Sequence, residues 1–360
     1  MIFLRVLLTS SKSLEYPRIS QLAASLESLG HEIEYLYIPL SSVFLPGAKL
    51  KNDIRSKNVD LVICGFFGQH SVGICKKILP GVPVILDAFV SAYQTLVKDR
   101  RDKRFILLAP LIKFYEKKML DSSDSIITDT QFHLKYFIHR YGVPERKLSV
   151  LPVTSRFEGQ SSTVRVPFEQ RKKIHFHGEI QGFHGLELVL PSINSMEERG
   201  IATSLYLGDK GEKWSKRHSK SINSGVDVFT RKVPYSILKD SMENSLVTLG
   251  IFRKSEKADL VIPNKIVESL SLGIPCITLS TVSTRNLMKE RKSSHNPLQD
   301  GLILVDEPSA VETAIRALND DEKLWRSSSN NAKKLYKEVF NSNNNQEKLL
   351  QLIQGVVDVD

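Results

Sequence analysis

Four polar side chains in the segment 258–278 (ADLVIPNKIVESLSLGIPCIT) have the types and spacing to bind phosphate and sugar hydroxyls. Asn264, Lys265, Glu268 and Ser271 recur at spacings of three and four residues, so they share one face of a helix. A helix start that carries free amides and a lysine suits phosphate, and a carboxylate one turn further along can accept hydrogen bonds from sugar hydroxyls. An ordinary helix with a solvated polar face has the same spacing, so that alternative stays open at this point.

The ends of this helix can be predicted from single residues. Pro263 suits the first turn of a helix, and Gly273 suits the position just past its end. Ile266, Val267 and Leu270 then fall on the side that faces the core. The helix is therefore placed between a polar loop and a buried strand.

The pattern P-N-K-x-x-E-x-L-x-x-G-x-P in this segment resembles the donor-nucleotide segment of glycosyltransferase family 4, the group 1 glycosyltransferases. Three further segments resemble one bacterial and archaeal branch of that family: 85–101 (ILDAFVSAYQTLVKDRR), 116–137 (EKKMLDSSDSIITDTQFHLKYF) and 176–190 (FHGEIQGFHGLELVL). With the 234–249 unit, the resemblance extends over most of residues 1–340. It implies a retaining, nucleotide-sugar-dependent enzyme with the two-domain GT-B fold.

The bulk composition is that of a globular protein of two ordinary domains: 360 residues, 41% hydrophobic and 25% charged. Its three cysteines, Cys64, Cys75 and Cys276, lie in apolar runs without metal-ligand or disulfide spacing, which favours buried free thiols in a reducing compartment. No export signal is convincing, and no apolar run is long enough to cross a membrane. We therefore expect a cytoplasmic protein.

The net charge of +10 raises the question of an anionic partner. Aromatic residues are not interleaved with the basic clusters, and no helix-turn-helix, zinc-finger or RNA-recognition signature is present, so we predict no nucleic-acid partner. The run 98–118 joins basic residues to the apolar residues 105–108, which favours peripheral contact with an anionic membrane at its inner face. A solvated helix with one buried face would show the same pattern.

Strand and helix patterns alternate along the whole chain, which predicts two doubly wound, Rossmann-like parallel sheets. The predicted strands are residues 2–8, 32–36, 59–63, 84–86, 125–128 and 148–151, then 173–176, 203–207, 226–229, 246–249, 276–279 and 302–305. The polar stretch 155–169 is the predicted linker. We expect an N-terminal acceptor-binding domain at 1–165, a C-terminal nucleotide-sugar domain at 166–340 and a tail at 341–360, in which an Asn/Ser-rich break precedes a short helix. The resemblance implies that this helix packs back on the first domain.

Ligands of open α/β sheets bind beyond the carboxyl ends of the strands. The predicted strand ends of the second domain are glycine-rich and basic, whereas those of the first carry Asp87, Asp129 and neutral residues. This contrast predicts that the second domain holds a diphosphate and the first a less charged acceptor, with the two domains facing across a cleft.

The residues and the resemblance together give the main candidate site residues expected roles. Glu268 holds hydroxyls of the ribose or of the donor sugar, Lys265 meets the diphosphate, and Asp87 orients the acceptor or handles its proton, unless it only caps the next helix. The other candidates for donor binding are Asn264, Arg253, Lys257, His184, Gly178, Gly208, Val233 and Ser10. A lone loop histidine such as His184 can equally be structural.

Three departures from the family pattern concern charge. Leu260 stands eight positions before Glu268, where many members have a glutamate. Glu179 and His184 stand where an arginine and a lysine usually neutralise the leaving diphosphate. Because a departing diphosphate needs cations, Arg253, Lys257 and Lys265 are the predicted substitutes.

A catalytic metal and other cofactors are not expected. The Asp-x-Asp pattern that could hold a metal occurs at Asp358 and Asp360, the extreme C-terminus, and no zinc, Walker or GxSxG spacing is present. We predict a metal-independent, hexosyltransferase-type enzyme that transfers a sugar to a hydroxyl of a glycan or lipid-linked acceptor. The alternatives are an epimerase or hydrolase that consumes the same donor, and a GT-B-like scaffold without turnover.

Overall fold

The structure is a computed structural model that describes residues 3–43, 47–99, 103–160, 166–290 and 296–357. Residues 100–102 of the basic run and the carboxylates of Asp358 and Asp360 therefore lie outside the described residues. The described chain divides into two compact units. Unit 1 contains the residues up to Thr154 and those from Ser342 onward, and unit 2 contains residues 155–341.

Unit 1 is built on a parallel sheet of six strands in the order β2-β1-β3-β4-β5-β6. The strands are β1 (Arg5–Ser10), β2 (Glu32–Tyr37), β3 (Leu61–Cys64), β4 (Val84–Asp87), β5 (Ser125–Thr128) and β6 (Leu148–Val150). The α-helices before unit 2 are α1 (Pro17–Ser28), α2 (Ala48–Arg55), α3 (Gln69–Ile78), α4 (Lys103–Leu107), α5 (Ala109–Ser122) and α6 (Gln131–Tyr141). β3, β4 and β5 are buried along their whole length, as expected for parallel strands that helices cover on both faces.

Unit 2 repeats this architecture with the strand order β12-β11-β10-β7-β8-β9. Its strands are β7 (Lys173–His177), β8 (Ala202–Tyr206), β9 (Val226–Phe229), β10 (Val247–Leu249), β11 (Cys276–Leu279) and β12 (Leu302–Val305). Its helices are α7 (Leu190–Glu198), α8 (Gly211–His218), α9 (Tyr235–Glu243), α10 (Glu256–Leu260), α11 (Asn264–Leu272), α12 (Val282–Glu290), α13 (Ala310–Asp320) and α14 (Glu322–Val339). All strands predicted from the sequence are confirmed, with small shifts at their ends.

The last helix, α15 (Ser342–Val357), belongs to unit 1. Leu349 and Ile353 are buried in the same hydrophobic cluster as Leu22 and Leu26 of α1. The sequence predicts a break at residues 341–345 and a short helix, but α15 is 16 residues long and starts within that stretch. The asparagines are accommodated because they lie in the first turn, where Asn345 donates a hydrogen bond to the Pro152 carbonyl at 2.6 Å.

The predicted linker is partly structured. Phe157 is buried against Met242, Leu272 and Ile274 of unit 2. The unit boundary therefore falls after Thr154, earlier than the expected boundary at residue 165.

Two further expectations from the sequence concern the three cysteines and the hydropathy of the helices. Cys64, Cys75 and Cys276 are buried free thiols, as predicted. Among the described helices, none combines the length and the apolar character that crossing a bilayer requires.

Candidate functional site

Helix α11 begins after Pro263 and ends at Gly273, which has a left-handed φ of 73°. These are the predicted boundaries. Its polar face is not solvated, because Lys265 and Glu268 are only 7% and 4% exposed. The alternative of an ordinary solvated face is thus excluded, and the burial of two charged side chains demands specific partners.

Glu268 has a cationic or polar donor on each carboxylate oxygen. Arg156 donates from Nε to Oε1 at 2.8 Å, and His177 lies 2.8 Å from Oε2 through Nε2. Burial alone would raise the pKa of Glu268, but the hydrogen bonds and charges of His177 and Arg156 lower it below its usual value. Glu268 is therefore an oriented carboxylate whose oxygens each retain capacity for a further hydrogen bond.

His177 is the first member of a buried polar chain. Its Nδ1 lies 2.9 Å from Nε2 of His175, whose Nδ1 lies 2.9 Å from the Ser241 hydroxyl. Burial lowers the pKa of His175 well below its usual value, so this imidazole is neutral. Because the Glu268 carboxylate only accepts, Nε2 of His177 carries the hydrogen of their contact.

Lys265 has a buried amine without a carboxylate in hydrogen-bonding distance among the described residues. Its Nζ lies 3.9 Å from the centre of the Phe176 ring and 3.4 Å from Nε2 of His184. Burial lowers the pKa of Lys265 to about 7, against the opposing influence of Cys276 and Glu268. Near pH 7 the amine is therefore only partly protonated, and an anion bound beside it would favour the protonated form.

The chain after β7 passes next to Lys265 at Gly178. A Cβ at Gly178 would lie 3.1 Å from Lys265 Nζ and 3.6 Å from His184 Cε1, so the missing side chain leaves backbone beside the amine. Burial lowers the pKa of His184 well below its usual value, with the charge of Lys265 as the next cause. The ring is thus neutral, and its Nδ1 is buried without a hydrogen-bond partner in the part of the chain that the structure describes.

A second loop, which follows β10, is hydrogen-bonded to this one. Phe252 donates from its backbone to the His184 carbonyl at 2.8 Å. Gly185 has a φ of 59°, and a Cβ there would lie 2.7 Å from the Arg253 nitrogen, so the two backbones approach as closely as glycine permits. The carboxyl ends of neighbouring strands β7 and β10 thus form one joined surface next to α11.

Arg253 and Lys257, the other predicted substitutes for the missing cations, lie on or just after this second loop. The exposed Arg253 forms an ion pair with Glu187. Lys257 donates to Gln181 Oε1 at 3.0 Å and lies 4.7 Å from the centre of the Phe183 ring. Both side chains therefore contact the 178–187 loop region, but only Lys265 is buried next to Gly178.

The remaining residues of unit 2 that are predicted to bind the donor are Asn264, Gly208 and Val233. The Asn264 side-chain oxygen is buried and lacks a hydrogen-bond partner among the described residues, at the N-terminus of α11. Gly208 follows β8 beside Glu179, and the half-buried Val233 precedes α9. No hydrogen bond within the described ranges joins Gly208 or Val233 to α11.

Asp87 and Ser10 lie in unit 1, at the carboxyl ends of β4 and β1. Asp87 is buried and accepts two hydrogen bonds of 3.0 Å from Nε and Nη2 of Arg18. Arg18 also donates to the carbonyls of Leu151 and Pro152. Ser10 is buried, and its hydroxyl accepts from the backbone of Lys12 at 3.0 Å. Asp87 thus holds the arginine that binds the carbonyls after β6, and Ser10 binds the backbone just after β1.

Sequence reasoning missed Arg156, His175, His177 and Arg18. The histidine pair could have been predicted from the sequence, because the strand KIHFH places its two histidines two residues apart and hence on one face of the sheet. Arg156 could not have been predicted as a site residue, since it lies in the stretch 155–169 that was interpreted as a linker. Groups of three or more His, Cys, Asp or Glu side chains able to hold a metal are absent from the described residues.

No protein-family model matches this sequence, and no curated protein sequence matches it. Solved structures do. The Anabaena protein HepE, solved with UDP-glucose, is similar with a TM-score of 0.69 at 10% identity, over 98% of this chain and 100% of that one. A glycosyltransferase from Rickettsia africae has a TM-score of 0.65 at 12% identity, over 99% of both chains.

A UDP-forming α,α-trehalose-phosphate synthase from Burkholderia vietnamiensis has a TM-score of 0.65 at 10% identity, over 98% of this chain and 99% of that one. At such identities the likeness concerns the fold. Together with the two six-stranded parallel sheets, it shows that this chain has the GT-B fold.

Proposed function

We propose that this protein is a glycosyltransferase that moves a sugar from a nucleoside diphosphate sugar to a hydroxyl acceptor. The observation that carries the proposal is the buried amine of Lys265, which has no carboxylate partner in the described residues and lies beside Gly178, one turn before the oriented carboxylate of Glu268. The charged form of such a buried amine is unfavourable unless an anion lies beside it.

The diphosphate of the donor would supply that anion. Lys265 would contact it at the N-terminus of α11, where the first backbone amides of the helix add favourable partial charge. The Asn264 and His184 side chains flank this position, and Arg253 and Lys257 would reach it from the second loop. This arrangement replaces the basic pair that is absent at Glu179 and His184.

Glu268 would bind hydroxyls of the ribose or of the donor sugar. Its two existing partners, Arg156 and His177, keep it ionised and fix its orientation, while leaving lone pairs for a ligand. Glu268 is also the residue whose surroundings correspond best to the family 4 pattern, so membership of that family remains our prediction on the basis of this segment.

The proposed reaction is retaining. The bond between the anomeric carbon and the diphosphate oxygen breaks, the acceptor oxygen bonds to the same face of the sugar, and a diphosphate oxygen takes the acceptor proton. Protein groups mainly position the reactants and neutralise charge, with Lys265 stabilising the leaving group and no metal required.

Unit 1 would bind the acceptor, a glycan or lipid-linked hydroxyl compound. Both oxygens of Asp87 are held by Arg18, which also binds the Leu151 and Pro152 carbonyls, so we propose that Asp87 positions the backbone after β6 for the acceptor through Arg18 and does not itself take the proton. Polysaccharide or glycolipid synthesis is the process in which such an acceptor occurs.

The test is calorimetric binding of UDP, GDP, ADP and their common sugar conjugates, followed by turnover with candidate acceptors. UDP-glucose is the first donor to try, because it is the ligand in the HepE structure. We expect one nucleotide to be preferred, and Lys265→Met and Glu268→Gln each to lower its affinity at least about tenfold.

Lys289→Met and Glu290→Gln are matched controls, since these exposed residues lie on α12. Absence of binding to every nucleotide would contradict the donor site. Binding with donor breakdown or epimerisation but no acceptor-dependent product would replace the transferase with the epimerase or hydrolase alternative, and binding without turnover would favour the scaffold.

A further inference from the structure

Helices α4 and α5 carry a concentration of exposed apolar side chains. The described residues include twelve exposed large hydrophobic side chains, and five of them fall between positions 106 and 114. Leu107 is 82% and Phe114 is 68% exposed. The other three are Ile106, Leu108 and Leu111. Scattered exposed leucines need no explanation, but a contiguous group of this size indicates a contact surface.

The inner face of α5 already accounts for the stability of the helix. Glu116 is fully buried and accepts hydrogen bonds from the backbone of Ala92 at 2.8 Å and from the Tyr141 hydroxyl at 2.6 Å. Met119 and Leu120 are buried in the core of unit 1. The outward apolar side chains of Leu111 and Phe114 are therefore not required to hold α5 in place.

Between positions 103 and 118 the exposed charged side chains are all basic. Exposed basic residues border the apolar side chains, namely Lys103, Arg104, Lys113, Lys117 and Lys118. Between positions 103 and 118 the acidic residue is Glu116, and it points inward. Toward the C-terminus the next carboxylate is the exposed Asp121, which pairs with Lys117 at 2.9 Å.

We infer that the surface formed by residues 103–118 docks onto an anionic lipid membrane, with the five apolar side chains inserted at the headgroup boundary. An amphipathic helix binds there through buried apolar area, and lysines and arginines next to it are attracted to the negative surface potential. A protein partner would match an apolar patch equally well, but the five exposed basic side chains within positions 103–118 favour a surface that is negative over its whole extent. This inference does not depend on the proposed donor site.

The test is co-sedimentation of the full chain with vesicles of phosphatidylcholine alone or mixed with phosphatidylglycerol, at low and high salt. We expect binding to the mixed vesicles to be at least about tenfold tighter than to the neutral ones, and to weaken with salt. Leu107→Ser with Phe114→Ser should reduce binding at least about tenfold. Lys113→Ser with Lys118→Ser should reduce it to a similar extent.

Matched controls replace exposed residues elsewhere. Leu40→Ser with Ile237→Ser, and Lys213→Ser with Lys220→Ser, should bind vesicles like the wild type. Equal vesicle binding by patch and control variants would overturn the inference, as would a wild type that binds neither vesicle.

The same variants are also run in sedimentation velocity and donor-binding calorimetry. A wild-type dimer that Leu107→Ser with Phe114→Ser dissociates would assign the surface to a second copy of the chain and contradict the membrane. Unchanged donor affinity in the patch variants is expected, and it separates failure of this inference from failure of the proposed transferase function.

Discussion

At the scale of single residues, the protonation of Lys265 is the property with the clearest consequence. The pKa of Lys265 is lowered from 10.5 to about 7, so above pH 7 the amine is increasingly neutral in the free protein. An anionic ligand favours the charged form, and binding above pH 7 must therefore take up a proton.

We predict that the affinity for UDP-glucose falls as the pH rises from about 7 to 9, by up to about tenfold per pH unit. UDP-glucose is suited to this measurement because its diphosphate diester does not titrate in that range. Calorimetry in buffers of different ionisation enthalpy measures the proton uptake directly. Lys265→Met should bind weakly with no such slope; a slope that persists in this variant would assign the titration to another group.

The pair of Arg156 and Glu268 allows a second prediction at this scale. Both side chains are largely buried and lie 2.8 Å apart, so removing one partner leaves the other charge without compensation. In a double-mutant cycle of Arg156→Met and Glu268→Gln, we expect a coupling free energy of unfolding of about 1–3 kcal/mol.

The control cycle uses Arg326 and Glu322, an exposed pair four residues apart on α14. Its coupling should be at most about 0.5 kcal/mol, because solvent screens exposed pairs. Urea unfolding of the four variants in each cycle provides the values. A coupling near zero for Arg156 and Glu268 would show that their contact does not persist in solution.

At the scale of elements, the site depends on how closely two loops approach. Gly185 combines a positive φ with a Cβ position 2.7 Å from the Arg253 nitrogen, and Gly200 has a positive φ of 80° with open space around it. The two glycines therefore separate the effect of backbone strain from the effect of steric contact.

We predict that Gly200→Ala lowers the free energy of unfolding by about 1 kcal/mol and leaves donor affinity unchanged. Gly185→Ala should lower the free energy of unfolding by more than Gly200→Ala does. It should also weaken donor binding, because the added methyl group pushes the loops after β7 and β10 apart. Urea unfolding and calorimetry measure the two quantities. Equal effects of the two substitutions on affinity would indicate that loop approach is unimportant for the site.

The limits of sequence-based prediction also appear at this scale. The ends of α11 could be predicted because Pro263 and Gly273 act through local backbone geometry, and the buried strands could be predicted from their apolar runs. The partners of Asp87 and Glu268 could not. Arg18 lies 69 residues from Asp87 and Arg156 lies 112 residues from Glu268, and such pairs arise only when the sheets bring distant segments together.

At the scale of the whole molecule, the last helix completes the first unit. Leu349 and Ile353 of α15 are buried against α1. We predict that Leu349→Ala and Ile353→Ala each lower the free energy of unfolding of unit 1 by about 2–5 kcal/mol. Hydrogen exchange should show faster exchange in α1, with unit 2 strands such as β11 unchanged.

Gln351→Ala is the control, because Gln351 is exposed on the same helix. Faster exchange in both units after Leu349→Ala would mean that the two units unfold together, contrary to this prediction.

The position of α15 in the chain has a consequence for the order of events during synthesis. Unit 1 begins to emerge from the ribosome first, yet the helix that covers Leu22 and Leu26 is translated only after the whole of unit 2. At typical elongation rates this interval is on the order of ten to forty seconds. During this interval the nascent first unit exposes apolar side chains of α1 to chaperones and to neighbouring chains. Unit 2 is contiguous in the chain and can therefore fold as soon as it has been translated.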